Sequence, residues 1–298
     1  MNNQFPNFKP IELEDRKIIQ DMIWQYQPHT SEWTFTNLYI WSAYYGYQWS
    51  LHKDWLIILN TINSKDMHCL QPIGPPSRSE VVQTILQWLA EEKGAIFPRI
   101  ERADERLISE IKGIKGLRIE ATENHYDYVY RSDDLIHLAG RKYHAKKNHI
   151  NKFLRSHAFT YASLNHEYVA DCMQVEEEWC KMRRCEEDLS LVGEGEAVRN
   201  ALRDFMSLKI SGGIIFIDKK IEAFTLGELL NENTAVVHIE KTNPDIPGLF
   251  TMINQQFCEN QWHDIQYINR EQDLGVPGLR RAKRSYHPCR LVKKYRIF

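Results

Sequence analysis

"YINREQDLGVPGLRRAKRSYHP", Tyr267 to Pro288, changes character twice over a short span. It leaves an apolar run, "DIQYIN", that has strand character. It then crosses a polar and acidic elbow, "REQDLGVPG", and from Gly278 onward carries only positive charge. Gly275 and Gly278 bracket Pro277, which gives the elbow a turn of defined shape. "LRRAKRSY" follows with helical spacing, and "RLVKKYRI" reads as a closing strand. Upstream, "GGIIFID" and "IEAFTLGELL" flank the polar turn "DKK", and "TAVVHIE" follows "NEN". These runs predict a three-stranded antiparallel meander. Between the meander and the elbow lies "GLFTMINQQFCEN", in which Leu249, Met252, Ile253, Gln256 and Phe257 recur at i, i+3, i+4 and so form one packed helical face. The order is β-β-β-α-β-α-β, preceded by helices in "VADCMQVEEEWCKMRR" and "GEAVRNALRDFMSLKI". A helix joining the third and fourth strands implies a right-handed parallel crossover added to an antiparallel sheet.

The N-terminal half repeats this order without repeating the residues. "IELEDRKIIQDMIWQY" and "TFTNLYIWSAYY" read as helices. "YQWSL", "WLIILN" and "MHCLQPI" read as a meander with a tight "HKD" turn. Ser77 and Glu80 stand at capping-box spacing ahead of the helix "EVVQTILQWLAEEK". "AIFPRI", "DERLISEIKGI" and "GLRIEA" then supply strand, helix and strand. The repetition in element order points to an internal duplication, with a boundary near residue 130 in "HYDYVYRSDDL" and no Gly/Ser-rich linker.

The chain has 298 residues, 43% hydrophobic and 26% charged, a normal balance for a globular protein. Apolar runs such as "WLIIL" are too short for a bilayer span, and "MNNQFPNFKPIELED" has no signal-peptide pattern. Both predict a cytoplasmic protein. The six cysteines show no C-x-x-C pair or zinc spacing and read as reduced thiols. The twelve histidines form no ligand set, so no metal is expected. A net charge of -2 conceals an asymmetry. "RKYHAKKNHINKFLRSH" (Arg141–His157) holds six Lys or Arg and no acid; Gly278–Phe298 holds eight and no acid. Outside them, 24 basic residues face 40 acidic ones. Two acid-free stretches on an acidic chain point to a phosphate-bearing partner.

The element order resembles the GCN5-related N-acetyltransferase (GNAT) fold in tandem. The segments "RKYHAKKNHINKF", "AFTLGE", "TAVVHIEKTNPDIPG" and Tyr267–Pro288 resemble the family of the C-terminal domain of phosphatidylglycerol lysyltransferase, itself related to Fem-type aminoacyl-tRNA-dependent transferases. The resemblance implies an α/β (α+β) protein of two GNAT-like domains, 1–130 and 131–298, with mixed sheets flanked by helices and the principal site in the second. It implies an acyl- or aminoacyltransferase whose phosphate-rich donor lies between the splayed third and fourth strands. The lipid-modifying relatives carry a multi-span membrane region and this chain shows none, so a lipid acceptor is not implied, while peripheral lipid contact stays open.

Within that frame the donor is an aminoacyl-tRNA or, alternatively, an acyl-CoA. A non-catalytic RNA- or phosphate-binding protein on the same scaffold is a further alternative. A CoA site in this fold uses backbone N–H groups of the loop after the third meander strand. Here that loop is "EKTNPDIPGL", where Pro244 and Pro247 have no N–H to give and Asp245 adds negative charge; Lys241 and Asn243 remain as anion contacts. The elbow supplies Asn269, Arg270, Glu271 and Asp273. Glu271 or Asp273 is a candidate binder of an ammonium group or a general base, and Asp273 is alternatively the cap of the basic helix. Glu240 is a second base candidate, and Tyr286 a candidate general acid or a core tyrosine. Arg280, Lys283 and Arg284 in one basic stretch, with Arg141, Lys142, His144, Lys146, Lys147 and Asn148 in the other, are the expected donor contacts. The acceptor and the oligomeric state are not legible.

Overall fold

In a computed structural model describing residues 3–298, each half of the chain builds a seven-stranded mixed sheet. The strands are β1 (Lys9–Pro10), β2 (Gln48–His52), β3 (Trp55–Asn60), β4 (His68–Leu70), β5 (Ile100–Ala103) and β6 (Ile119–Ala121). They continue as β7 (Asp127–Arg131), β8 (Phe159–Ser163), β9 (Ser211–Ile217), β10 (Lys220–Asn231), β11 (Thr234–Thr242), β12 (Tyr267–Asn269), β13 (Arg290–Val292) and β14 (Tyr295–Ile297). The first sheet runs β1-β2-β3-β4-β5-β14-β6 and the second β13-β7-β12-β11-β10-β9-β8. One plan serves both. An antiparallel meander (β2-β3-β4, β9-β10-β11) is extended by a parallel neighbour (β5, β12) reached through a helix, Ser79–Glu91 or Leu249–Gln261.

The division of the chain differs from the one expected at residue 130. The first unit comprises the chain up to Asp127 together with 272–275 and 292–298; the second comprises 128–271 and 276–291. The run "RLVKKYRI" is two strands and not one, because β13 joins the second sheet and β14 the first. Lys294 is the reason. It is fully buried in the first unit, with Nζ 2.6 Å from both Asp127 Oδ1 and Glu32 Oε1 and 2.9 Å from Gln272 Oε1. A buried ammonium must be paired, and reaching these carboxylates takes the chain out of one sheet and into the other.

Two smaller expectations are also corrected. Helix Ser79–Glu91 starts after Arg78 with no side-chain cap. Glu80 instead pairs with Lys53 at 2.9 Å, and Ser77 Oγ meets Ser79 Oγ at 3.2 Å. Cys180 and Cys185 are joined as a disulfide, since left-handed Arg184 (φ 51°) turns the chain back at the end of helix Val169–Arg183.

In the second unit, Leu249, Met252, Ile253 and Phe257 are buried against Ile215, Ala223, Ala235 and Val237, each contributing about 1.5–3 kcal/mol by leaving water. This face is the one the helical spacing predicts. Two irregularities in the sheet shape what lies above it. First, β11 meets β12 over only Thr234↔Tyr267, Ala235↔Ile268 and Val236↔Asn269. β11 then runs on to Thr242 while β12 ends, so the strands part. Second, Leu226 faces Ile239 and Gly227 faces Val237. His238 is therefore an extra residue on β11, a β-bulge that re-aims the side chains around it.

Gly227 sits where the bulge crowds β10. A Cβ there would stand 2.5 Å from the Val236 carbonyl oxygen and 3.2 Å from the Phe257 ring. Gly227→Ala should thus lower stability by about 1–3 kcal/mol, read by urea denaturation; an unchanged midpoint would show that the bulge yields freely.

Candidate active site

Beyond the point where β11 and β12 part, side chains from several elements of the second unit converge. Arg270, the first residue after β12, is half-buried, its side chain 12% exposed, and ion-paired through Nη2 to Glu240 Oε2 on β11. Asn254, from helix Leu249–Gln261, donates Nδ2 to the other Glu240 oxygen at 2.9 Å. The Arg270 guanidinium lies 4.8 Å from the Tyr286 ring centroid and 5.9 Å from that of Tyr130. Lys146, from helix His144–Ser156, puts its ammonium 3.8 Å over the opposite partner of this stack, the Tyr286 ring. Lys283 donates Nζ to the Arg270 carbonyl, and the Tyr130 hydroxyl donates to the Lys283 carbonyl at 2.8 Å.

The electrostatics follow from burial and charge together. Burial opposes the charge on Arg270, but Glu240 and the two phenols outweigh it and hold its pKa above the usual range. Lys146 is pulled down to about 8, by burial first and by the Arg270 charge second, against the pull of Glu240. Burial pushes the Tyr286 phenol up, offset in part by Arg270 and a hydrogen bond with Thr251. Nε and Nη1 of Arg270 and Oδ1 of Asn254 are buried and have no hydrogen-bond partner among the described residues. Buried polar groups are nearly always satisfied, and exceptions concentrate at working sites.

A second cluster adjoins the bulge. His238, with a side chain only 2% exposed, places Nδ1 2.8 Å from Glu271 Oε1 and Nε2 3.0 Å from Glu228 Oε1 on β10. Burial alone would strip its proton; the bonds to the two carboxylates win, and its pKa rises to about 9. Glu271 is held in a left-handed backbone conformation (φ 56°), where Asn269 Oδ1 accepts its N–H at 2.8 Å. A non-glycine residue in this region is strained and requires surrounding structure to hold it.

The predicted residues therefore separate into groups. Glu240, Arg270, Lys283, Tyr286 and Lys146 come together, while Glu271, with Asn269 bonded to its N–H, belongs to the second cluster. Arg141, His144, Lys147, Asn148 and Arg284 are exposed, while Arg280 is half-buried. Lys142 pairs with Asp134 at 3.6 Å. The two basic stretches meet: Tyr143 donates its hydroxyl to the Tyr286 carbonyl at 3.1 Å, and His287 Nε2 lies 3.0 Å from the Lys142 carbonyl.

Three residues do not take the places expected of them. Lys241 is buried, 2.8 Å from Glu194 and 3.4 Å from Glu176, with its ammonium 3.3 Å over the Trp179 ring; it offers no charge to a loop-bound anion. Asn243 is spent within the loop, donating Nδ2 to Glu222 at 2.9 Å and accepting the Asp245 N–H at 3.0 Å. Asp273 is buried and belongs to the first unit, where Oδ1 accepts the Gly275 N–H at 2.8 Å. The basic helix Pro277–Arg284 is capped at Val276 with no side-chain bond.

His238, Glu228 and Asn254 escaped the sequence reading. The signal for the first two was Gly227 inside a strand run, a mark of a bulge or close backbone approach. Asn254 lies off the apolar stripe of its helix and gave no signal.

The loop before helix Leu249–Gln261 is turned in on itself. The N–H groups of Asp245, Ile246 and Leu249 all bond inward, to Asn243 Oδ1, the Asn243 carbonyl and the Ile246 carbonyl. Left-handed Gly248 lies so near helix His144–Ser156 that a Cβ would fall 2.4 Å from the His149 carbonyl oxygen.

Comparison with known proteins agrees with this architecture. A conserved protein of unknown function from Bacteroides thetaiotaomicron VPI-5482 superposes with TM-score 0.90 at 30% identity, covering 97% of this chain and 98% of that one. L-PGS from Bacillus licheniformis superposes at 0.67 with 14% identity over 99% and 94% of the two chains, and FemX at 0.61 with 9% identity over 98% and 96%. The fold is thus a tandem GNAT-like one. Residues 24–298 match the model of the family described as phosphatidylglycerol lysyltransferase, C-terminal, and the chain belongs to that family.

Proposed function

We propose that this protein moves an aminoacyl group from an aminoacyl-tRNA to an amine or hydroxyl acceptor at the parting of β11 and β12. Family membership supports the transferase class. The observation that carries the site assignment is Arg270, whose Nε and Nη1 are buried with no hydrogen-bond partner among the described residues while Glu240 anchors Nη2. Two preorganised donors on a fixed cation suit the oxyanion that develops when an ester carbonyl is attacked. Asn254 Oδ1, held through the same Glu240, is an acceptor for an N–H or O–H of the attacking group. Lys146, whose pKa of about 8 leaves a neutral fraction near physiological pH, is suited to take up the proton. Glu271 is the carboxylate positioned to receive an ammonium group. No covalent enzyme intermediate is needed; orientation supplies much of the acceleration.

The joined basic stretches support a polyanionic donor over a small one. The inward-bonded 243–249 loop argues against acyl-CoA, since the N–H groups of Asn243, Asp245, Ile246 and Leu249 are already committed. No helix among the described residues is long and apolar enough to cross a membrane.

Fluorescence anisotropy with charged tRNA at two salt concentrations, with acetyl-CoA as competitor, tests this reading. We expect salt-sensitive binding that acetyl-CoA does not displace. Arg281→Ala and Arg284→Ala, both exposed on the basic helix, should each reduce the log–log salt slope by about one. Slopes unchanged in both variants would remove the helix from the tRNA interface, and displacement by acetyl-CoA would favour the thioester donor.

A further inference from the structure

The Glu228–His238–Glu271 array is not required by the sheet. His238 has no residue opposite it on β10, yet its side chain is nearly inaccessible and both ring nitrogens face carboxylates, at 2.8 and 3.0 Å. With both nitrogens bonded to carboxylate oxygens, the ring donates twice, and only the imidazolium form can do so. The array joins three elements: Glu228 comes from β10, His238 from the bulge of β11, and Glu271 from the strained residue that turns the chain out of β12. Glu271 is exposed by 20% at its side chain, whereas His238 is sealed. Glu271, next in the chain to Arg270, is thus the most exposed member of the array, against 11% for Glu228.

We propose that His238 is a positioning residue: bonded to Glu228 on one side and to Glu271 on the other, it holds the Glu271 carboxylate aimed as the receptor for the α-ammonium group of the aminoacyl moiety. This rests on the aminoacyl-donor reading above and assigns the recognition of that donor's charged end. The bulge supplies the geometry, because without the extra residue the histidine would face along the strand register. Glu228 supplies the second charge, which keeps the bridge cationic even when Glu271 is engaged by a ligand. The receptor then works through the difference between charged and uncharged tRNA, since only the former carries an ammonium group at its end.

The linkage has a definite sign. A histidine whose pKa rises from 6.5 to about 9 on folding stabilises the fold fully below pH 6.5. That contribution fades as pH rises through about 9. The groups facing the ring are Glu228 and Glu271, both carboxylates.

The test has two independent arms, using the full chain. In the first, the His238 ring is titrated by NMR in the wild type, Glu271→Gln and Glu228→Gln. Titration near pH 9 in the wild type, shifted down in both variants, is expected; titration at the ordinary value in the wild type overturns the bridge. In the second arm, affinity for aminoacyl-tRNA is divided by that for uncharged tRNA in the wild type, Glu271→Gln and His238→Gln. Both variants should lose the preference by roughly tenfold or more, as expected for a charge-assisted bond, with no further loss in the double variant. A His238→Gln protein that keeps the wild-type preference overturns the positioning role. Failure of the donor reading has a different signature: the wild type itself shows no preference, and the proposed receptor falls with it, whatever the NMR arm shows about the bridge.

Discussion

Lys294→Met should destabilise the first unit by about 3–5 kcal/mol, because it strands buried carboxylates without their cation. Asp127 is 0% and Glu32 9% exposed at the side chain, and both lie 2.6 Å from Nζ. Methionine fills nearly the same volume, so the loss reports charge and not a cavity. Asp127 also accepts the Ser31 N–H at 2.8 Å and the Ser31 hydroxyl at 3.0 Å, neutral donors that do not replace a cation. Arg102, 3.5 Å from Glu32, is too loosely placed to substitute for the ammonium. Urea unfolding followed by tryptophan fluorescence measures the effect. Adding Asp127→Asn and Glu32→Gln to the methionine variant should recover part of the loss, since neutral amides tolerate the missing cation. No recovery would locate the cost in packing.

Arg270 carries the second large effect, and two substitutions separate its roles. Arg270→Ala leaves the half-buried Glu240 to Asn254 and should destabilise by about 1–3 kcal/mol, while abolishing transfer. Arg270→Lys keeps a cation beside Glu240 but replaces the planar fork by a single point charge. It should remain folded and yet lose roughly a hundredfold or more in transfer rate, the usual cost of removing a fixed oxyanion donor. Single-turnover transfer from aminoacyl-tRNA, with far-UV circular dichroism to verify folding, makes the comparison. A lysine variant as active as the wild type would mean that the partnerless Nε and Nη1 do not meet the reacting carbonyl.

The features legible in the sequence are those governed by period and punctuation. The meander, the Leu249–Gln261 helix and the strand-elbow-helix at 267–284 follow from alternation, i, i+3, i+4 spacing and the Gly/Pro turn, all local properties. The tandem plan was visible in element order alone. What escaped depends on long-range pairing. Lys294 reads as one more cation in a basic tail, and only its approach to Asp127 and Glu32, far off in the chain, shows why β14 leaves the second sheet. His238 reads as one polar residue in an apolar strand until the register exposes the bulge. Lys241 and Asp273 misled for the opposite reason: each has the right residue type near the right loop, but burial commits it elsewhere. In Arg270, Glu240 and Glu271, by contrast, residue type and position in the fold coincide.

The placement of β14 has a consequence for synthesis on the ribosome. Strands β5 and β6 flank β14 in the first sheet, so the nascent N-terminal half emerges with a gap and two unpaired edges. The missing strand lies at residues 295–297. At ordinary elongation rates of 5–20 residues per second, the gap stays open on the order of ten seconds or longer. Unpaired edges invite association with other chains. Ribosome profiling coupled to chaperone pull-down should accordingly find holdase occupancy beginning once β5 and β6 have left the exit tunnel and ending only once β14 has emerged to pair with them, so that the sheet begun first waits for a strand made much later.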